Sequence, residues 1–420
     1  MTRACLQRDD IGPDSYDARV GFSTNSLRPL KIAQIAPLIE RVPPRLYGGT
    51  ERIVSYLTEA LVNLGHDVTL FASGDSITSA RLIPCCREAI RLVPAVRDPI
   101  PHYMVMLDRV RTMAREFDIL HFHIDQFHFP LFRGMAARTL TTLHGRQDMP
   151  DLKALYDGFP EMPLVSISMA QRAPIADANF VAQVPHGIPR DLLTAMPVAR
   201  GGYFAFLGRI CPEKRVDRAI AIARQVGLPL KIAAKIDRVD EAYFRSEIAP
   251  LLDQTGIEFI GEIDERQKSA FLGEARALLF PIDWPEPFGL VMIEAMACGT
   301  PVLAFRQGSA PEVIEEGITG HVVESVEEAI SRMDSLLALD RKRIRRRFEA
   351  RFTADRMARD YVDIYRHLID ERFVESTGKL ASDHDQPKRA QGLISNDIGA
   401  GKASCALGTS ASVRRPLIDH

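Results

Sequence analysis

The chain has 420 residues, more than one hydrophobic core usually supports, so two domains are expected. Hydrophobic residues make up 46% and charged residues 26%, and the formal net charge of −2 gives no overall basic field that would argue for nucleic acid. The six cysteines form no C-x-x-C pair and no framework spacing, which fits a reduced, cytoplasmic setting.

Residues 1–29 read as a polar N-terminal extension: Asp9, Asp10 and Asp14 interrupt it and no apolar core of a secretory signal is present. No apolar run approaches the ~18 residues that span a bilayer, so any membrane role is expected to be peripheral. From Lys31 the character changes. "KIAQIAP" reads as a short strand, Gly48-Gly49 follow, and Ile53, Leu57, Ala60, Leu61 and Leu64 recur at helical spacing with Gly65 as a C-terminal cap. "HDVTLFASGD" is the next strand and turn, completing a βαβ unit. Further strands are predicted at "DILHFH", "TLTTLHG", "LVSIS" and "VAQVPHG"; apart from the first of these, residues 75–135 match no motif.

"PVARGG" (197–202) reads as a linker. A second alternating series follows: "YFAFLGR", a helix over Lys214–Val226, "LPLKIAAK", a helix over Glu241–Leu252 and "IEFIGE". Then come a helix over Glu265–Glu274, "ALLFPID", a helix over Gly289–Ala297, "TPVLAF" and "GHVVE". The pattern predicts an α/β protein of two Rossmann-like, doubly wound parallel-sheet domains facing across a cleft, over 30–200 and 201–352. An amphipathic helix over 353–374 would cross back to the first domain, and 375–420 reads as a disordered tail. The basic run Asp340–Phe352 reads as a solvated helix face, with contact to an anionic membrane surface as the alternative.

Chemistry concentrates in "WPEPFGLVMIEAMACGTPV" (284–302), where an apolar stretch carries Glu286 and Glu294. A buried carboxylate needs a partner. Gly289 lets the backbone approach a ligand, and the amides of Phe288 to Val291 are free at a helix start, which suits an anion. Arg209 and Lys214, in "FLGRICPEK", end a strand and open a helix, where two cations suit a diphosphate. The plainer reading pairs those cations with Glu213 or Asp217 on the surface, and explains the two glutamates by a cap and a buried salt bridge. Phosphates held by amides and cations, with hydroxyls held by carboxylates, describe a nucleotide sugar. In "HFHIDQFH", the residues His121, His123, Asp125 and His128 admit a metal site, although cleft lining fits better; His186 in "PHG" fits a core, hinge or site position equally.

The segment resembles the E-x(7)-E motif of the retaining, metal-independent glycosyltransferases of family 4 ("glycosyl transferases group 1", which includes glycogen and sucrose-phosphate synthases), with the GT-B fold. "YGGTERIV", "LHG", "VPHGI", "GRICPEK", "FIGEI" and "GSAPEVIEEGITGHVV" match in the same order, covering about 31–352. The resemblance implies a hexosyltransferase that moves a hexose from a UDP- or GDP-sugar to a hydroxyl acceptor, with no cofactor and no metal. Glu294 would hold the ribose hydroxyls, and Glu286 the transferred sugar, helped by the amides of Phe288, Gly289 and Leu290. Arg209 and Lys214 would bind the diphosphate. Ile260 and Gly261 would lie beside the base, Gly48 and Gly49 would close over the diphosphate, and His144 would sit near the sugar. Two departures stand out: Arg215 replaces the glycine often found after the lysine, and "LKIAAKID" lacks a glycine before its loop. A catalytically degenerate nucleotide-sugar-binding protein of the same fold is the alternative.

Overall fold

Strand β1 (Lys31–Ile35) is buried from Ile32 onward, with apolar Ile32, Ala33 and Ile35 around a buried Gln34, as befits a strand covered on both faces. In the computed structural model, which describes residues 28–45 and 48–384, β1 leads through helix α1 (Gly49–Asn63) to β2 (Asp67–Ser73), which pairs with β1 in parallel. The first sheet adds β3 (Arg81–Cys86), then helix α2 (Ile100–Met113), β4 (Ile119–Phe122), β5 (Thr139–Thr142), β6 (Leu164–Ser166) and β7 (Phe180–Gln183). Its order is β3-β2-β1-β4-β5-β6-β7, all parallel.

The second sheet has six parallel strands: β8 (Phe204–Arg209), β9 (Leu230–Lys235), β10 (Ile257–Gly261), β11 (Ala277–Phe280), β12 (Val302–Phe305) and β13 (Gly320–Val323). The order is β10-β9-β8-β11-β12-β13, so both sheets reverse their winding beside their first strand, at β1/β4 and at β8/β11. Such switch points leave a crevice at the strands' C-terminal ends. The helices that matter for the site are α3 (Val216–Val226), α4 (Glu265–Glu274), α5 (Leu290–Ala297), α6 (Arg341–Arg351) and α7 (Ala354–His384).

Two expected helices differ in detail. The one expected over Lys214–Val226 begins at Val216, after a single 3₁₀ turn at Pro212–Lys214. The one expected over Glu241–Leu252 is interrupted by a π turn at Phe244–Ile248, just before Pro250, whose missing N–H breaks the ladder. Strand β3 is a strand the sequence reading did not register. It lies at the sheet edge, where Pro84 is tolerated, and its burial shows no clear alternation.

The described residues up to Val374 form one compact unit; of the second, from Glu375, the described part is helical to His384. Except for Arg28, Pro29 and 375–384, the expected polar extension and disordered tail lie outside the described residues. Helix α7 packs on the first sheet: Tyr361 and Tyr365 are buried, and their hydroxyls meet Thr142 Oγ1 and His121 Nδ1, each at 2.7 Å. Gly187 allows the approach, since a Cβ there would stand 2.2 Å from the Thr353 carbonyl. No helix among the described residues is long and apolar enough to cross a membrane.

The basic run folds as α6, and most of its arginines turn inward instead of facing solvent. Arg341 is buried and donates to the carbonyls of Met196 (2.8 Å), Ala275 (2.9 Å) and Gly273 (2.6 Å) and to Thr300 Oγ1 (2.7 Å). Arg345 caps the end of α5 through the Ala297 carbonyl at 2.6 Å, and Arg347 and Arg351 pair with Glu315. Lys342, Arg343 and Arg346 remain exposed.

Candidate active site

A cleft of about 730 Å³ runs along both switch points, and its wall is built from residues just past the strands' C-terminal ends. The first domain supplies Pro37 after β1, His123 after β4 and His144 after β5; the second supplies Arg209 at the end of β8, Lys235 at the end of β9 and Ile282 after β11. Gly48, Gly49, Lys214, Phe288, Gly289, Leu290, Val291, Glu286 and Glu294 line the same cleft.

The opening of α5 sets the second domain's contribution. Gly289 caps the helix at φ 77°, a left-handed backbone where a Cβ would strike the Met292 side chain at 2.8 Å. The first N–H groups of α5 have no intrahelical acceptor. The loop before it is pinned from two sides. Ser309 donates from its backbone N–H to the Glu286 carbonyl (2.9 Å) and from its hydroxyl to that of Phe288 (2.8 Å), while Ser168 of the first domain donates to that of Pro287 (2.7 Å). Gly308 comes so near the Glu286 backbone that a Cβ would lie 2.3 Å from its carbonyl oxygen, which gives the "GSAPEV" stretch its structural role.

Both glutamates have protein partners. Glu286 is bonded to Lys214 Nζ and accepts from Trp284 Nε1 at 3.1 Å. Glu294, buried, accepts from Lys268 Nζ at 2.7 Å through Oε1. Lys268 also lies 3.7 Å from Glu265, which is paired with Arg52 of α1. An ion chain thus joins the two domains beside Glu294, and the sequence reading anticipated neither Lys268 nor Arg52. Only the side chains' convergence reveals them, because α1 and α4 are far apart in sequence. Arg209 is flanked by Asp237 and Asp240, each at 3.5 Å.

Arg215 resolves one of the departures. It adopts φ 50°, ψ 50°, the conformation a glycine would take there, and is held by Asp217 (2.8 Å) and Asp283 (2.9 Å). Lys235, where the other glycine is missing, pairs with Asp237 at 2.8 Å. Glu262 and Ile263, just past Ile260 and Gly261, line the cleft. Gly261 at φ 76° turns the chain at the end of β10, where Ile260 is 37% exposed.

Gln34 links His121 and His123, and His123 links on to His144; among the described residues no group of three or more His, Cys, Asp or Glu is placed to hold a metal. His121 is buried against Tyr365 and Thr142 (both 2.7 Å), and His128 is buried and stacked on Phe122. His123 Nε2 donates to Gln34 Oε1 at 2.7 Å, so its Nδ1 accepts from His144 Nε2 at 2.9 Å. That tautomer leaves His144 Nδ1 a bare acceptor, and this atom is buried without a partner. Burial pushes His144 down to about 3, so the ring is neutral at physiological pH. His186 is buried, stacks on His144 at 5.2 Å and meets the Phe288 ring at 5.0 Å. It therefore belongs to the cleft wall where the domains meet.

Comparison with known proteins identifies the family. Residues 199–351 match the model "Glycosyl transferases group 1" and residues 47–178 the model "Glycosyltransferase Family 4". The chain is a family 4 glycosyltransferase. This glycosyltransferase is 25% identical over 352 residues to a phosphatidyl-myo-inositol mannosyltransferase of Mycobacterium leprae, covering 76% of this chain and 89% of that one. It superposes on the sucrose-phosphate synthase of Thermosynechococcus elongatus with a TM-score of 0.67 at 19% identity (81% and 100% covered). Anabaena HepE, solved with UDP and glucose, gives a TM-score of 0.61 at 15% identity (80% and 99% covered).

Proposed function

We propose that this enzyme transfers a hexose from a UDP- or GDP-sugar to a hydroxyl acceptor with retention of configuration and without a metal. The observation that carries the reading is the convergence of Glu286, Glu294, Arg209, Lys214 and the start of α5 on one cleft. Glu294 receives the ribose hydroxyls, sharing its carboxylate with Lys268. Glu286 receives hydroxyls of the transferred sugar, with the amides at Phe288 to Leu290. Arg209, Lys214 and the helix start face the diphosphate, whose negative charge grows as the glycosidic bond breaks. Fixed charges and dipoles aimed at that charge lower the barrier, which is the work a divalent metal does elsewhere. Gly48-Gly49 adjoins the opposite side, where a Cβ on Gly49 would lie 3.8 Å from Leu290 Cδ1. His144 Nδ1, a bare acceptor, takes a hydroxyl of the sugar.

The acceptor attacks on the face the diphosphate leaves, so no enzyme nucleophile is needed, and the leaving phosphate takes the acceptor's proton, so no enzyme base is needed. HepE's complexes with UDP support a nucleotide donor on this fold. Exposed Lys342, Arg343 and Arg346 are the residues a peripheral contact with an anionic membrane would use. The test is nucleotide release from UDP- and GDP-hexoses in EDTA with a panel of hydroxyl acceptors, followed by NMR of the product's anomeric proton. Release with retained configuration supports the reading. Nucleotide binding with no turnover on any donor supports the degenerate-site alternative, and inverted product refutes retention.

A further inference from the structure

The first-domain wall of the cleft carries groups that the donor contacts above do not use. Just after β4, Asp125 stands at φ 50°, and Arg215 is the other non-glycine residue with positive φ among the described residues. Arg215 is tied down by Asp217 and Asp283, whereas Asp125 Oδ1 is buried with no hydrogen-bond partner. The backbone N–H of His144 supports the carboxylate. A left-handed aspartate costs free energy, and a buried acceptor left unmatched costs more, so the pair of features marks a place where an external donor completes the structure.

Two residues on, Phe127 is half exposed, and its ring lies on that of Tyr103 with centroids 5.3 Å apart and planes 12° from parallel. Tyr103 is itself fixed, because its hydroxyl accepts from the Leu38 N–H at 3.1 Å. Phe127 thus lines the same cleft as Asp125 and His144, whose Oδ1 and Nδ1 are buried acceptors without a partner. Arg91, the cation nearest along this wall in sequence, is matched by Glu40 (3.2 Å) and Asp237 (3.7 Å). Hydroxyl donors and an apolar ring face fit such a wall, and a second phosphate does not.

We propose that Asp125 and Phe127 form the acceptor subsite, and that the acceptor is a neutral polyhydroxylated ring, a sugar or a cyclitol. Asp125 Oδ1 accepts a hydrogen bond from one ring hydroxyl, and the C–H face of the ring packs on Phe127. In the transfer, the acceptor oxygen bonds to the anomeric carbon while the bond from that carbon to the diphosphate oxygen breaks. The electron pair stays on the diphosphate, which also takes the hydroxyl proton; Asp125 binds and orients. The inference rests on the glycosyl-transfer reading above.

The test uses the full chain with UDP-glucose and GDP-mannose as donors. Myo-inositol, methyl α-D-glucopyranoside and methyl α-D-mannopyranoside serve as neutral probes, with glucose 6-phosphate as an anionic one. At least one neutral ring should accelerate nucleotide release and appear as glycoside. Asp125→Asn, which tolerates left-handed backbone as aspartate does, should lower kcat/KM for that ring by about tenfold or more. Phe127→Ala should raise the acceptor KM with little change in kcat, and both variants should keep nucleotide affinity within about twofold. An unchanged acceptor dependence, a loss of nucleotide affinity as large as the loss of transfer, or acceleration by glucose 6-phosphate alone would overturn the subsite. So would turnover of a donor that none of the probes accelerates. A wild type that neither binds nucleotide nor releases it from either donor would instead overturn the glycosyl-transfer reading.

Discussion

Replacing Lys268 with methionine removes the partner of a carboxylate whose side chain is 5% exposed, at an N–O distance of 2.7 Å. Breaking one side of a buried ion pair costs about 3–5 kcal/mol, because the remaining charge stays desolvated. Water in the cleft reaches the other side of Glu294, so the lower end, about 3 kcal/mol, is expected for Lys268→Met. At roughly 2 °C per kcal/mol for a chain of this size, the melting temperature should fall by about 6 °C. Removing both charges, Lys268→Met with Glu294→Gln, should restore most of that loss, since losing a whole buried pair is nearly neutral. The assay is thermal unfolding of the two single variants and the double variant, read by the fluorescence of Trp284, the chain's one tryptophan, which lines the same cleft. An unchanged melting temperature for Lys268→Met, or a double variant no more stable than that single one, would refute the claim that Lys268 neutralises Glu294.

Glu286→Ala should abolish transfer yet leave nucleotide binding largely intact, because it releases Lys214 toward the diphosphate; transfer at near wild-type rates would remove Glu286 from the reaction. Acid should destabilise the fold. Burial pushes His121, His123, His128, His144 and His186 below their ordinary 6.5, so the folded state binds fewer protons than the unfolded. Their contribution is complete above about pH 6.5 and is lost as pH falls, by up to about 1.4 kcal/mol per pH unit for each ring. Urea midpoints at pH 7.5, 6.5 and 5.5 should decline steeply over the last interval, and a flat profile would contradict the neutral histidines. Arg341→Met leaves three carbonyls, two of them in buried bonds, without their donor and should cost about 3 kcal/mol or more, against little change for Arg343→Met on the exposed side of the same helix. Equal melting temperatures for the two would show that α6 does not act as an internal clamp.

The two sheets were legible because most of their parallel strands are buried on both faces and read as short apolar runs, several of which end beside residues that line the cleft. Glu286 and Glu294 were legible for the same reason, as charges inside such a run. Strand β3 was not, because an edge strand with Pro84 carries neither a buried run nor alternation. Lys268, Arg52 and the Gln34–His123–His144 chain were hidden because each depends on residues from different elements meeting, which periodicity cannot register. The basic run misled for a related reason. Charge density said that α6 faces solvent, while Arg341, Arg345 and Arg351 turn inward to carbonyls that only the folded chain presents.

The central claim is that one cleft binds a nucleoside diphosphate through Glu294 and the cations opposite it, with no metal. Calorimetric titration of UDP and GDP into the wild type and Glu294→Ala, in EDTA, tests it most directly. The account predicts one-to-one binding of one of the two nucleotides by the wild type, weakened about tenfold or more in Glu294→Ala through loss of charge-assisted hydrogen bonds to the ribose. Binding that appears only when a divalent metal is restored, or that is equal in the two proteins, would contradict it.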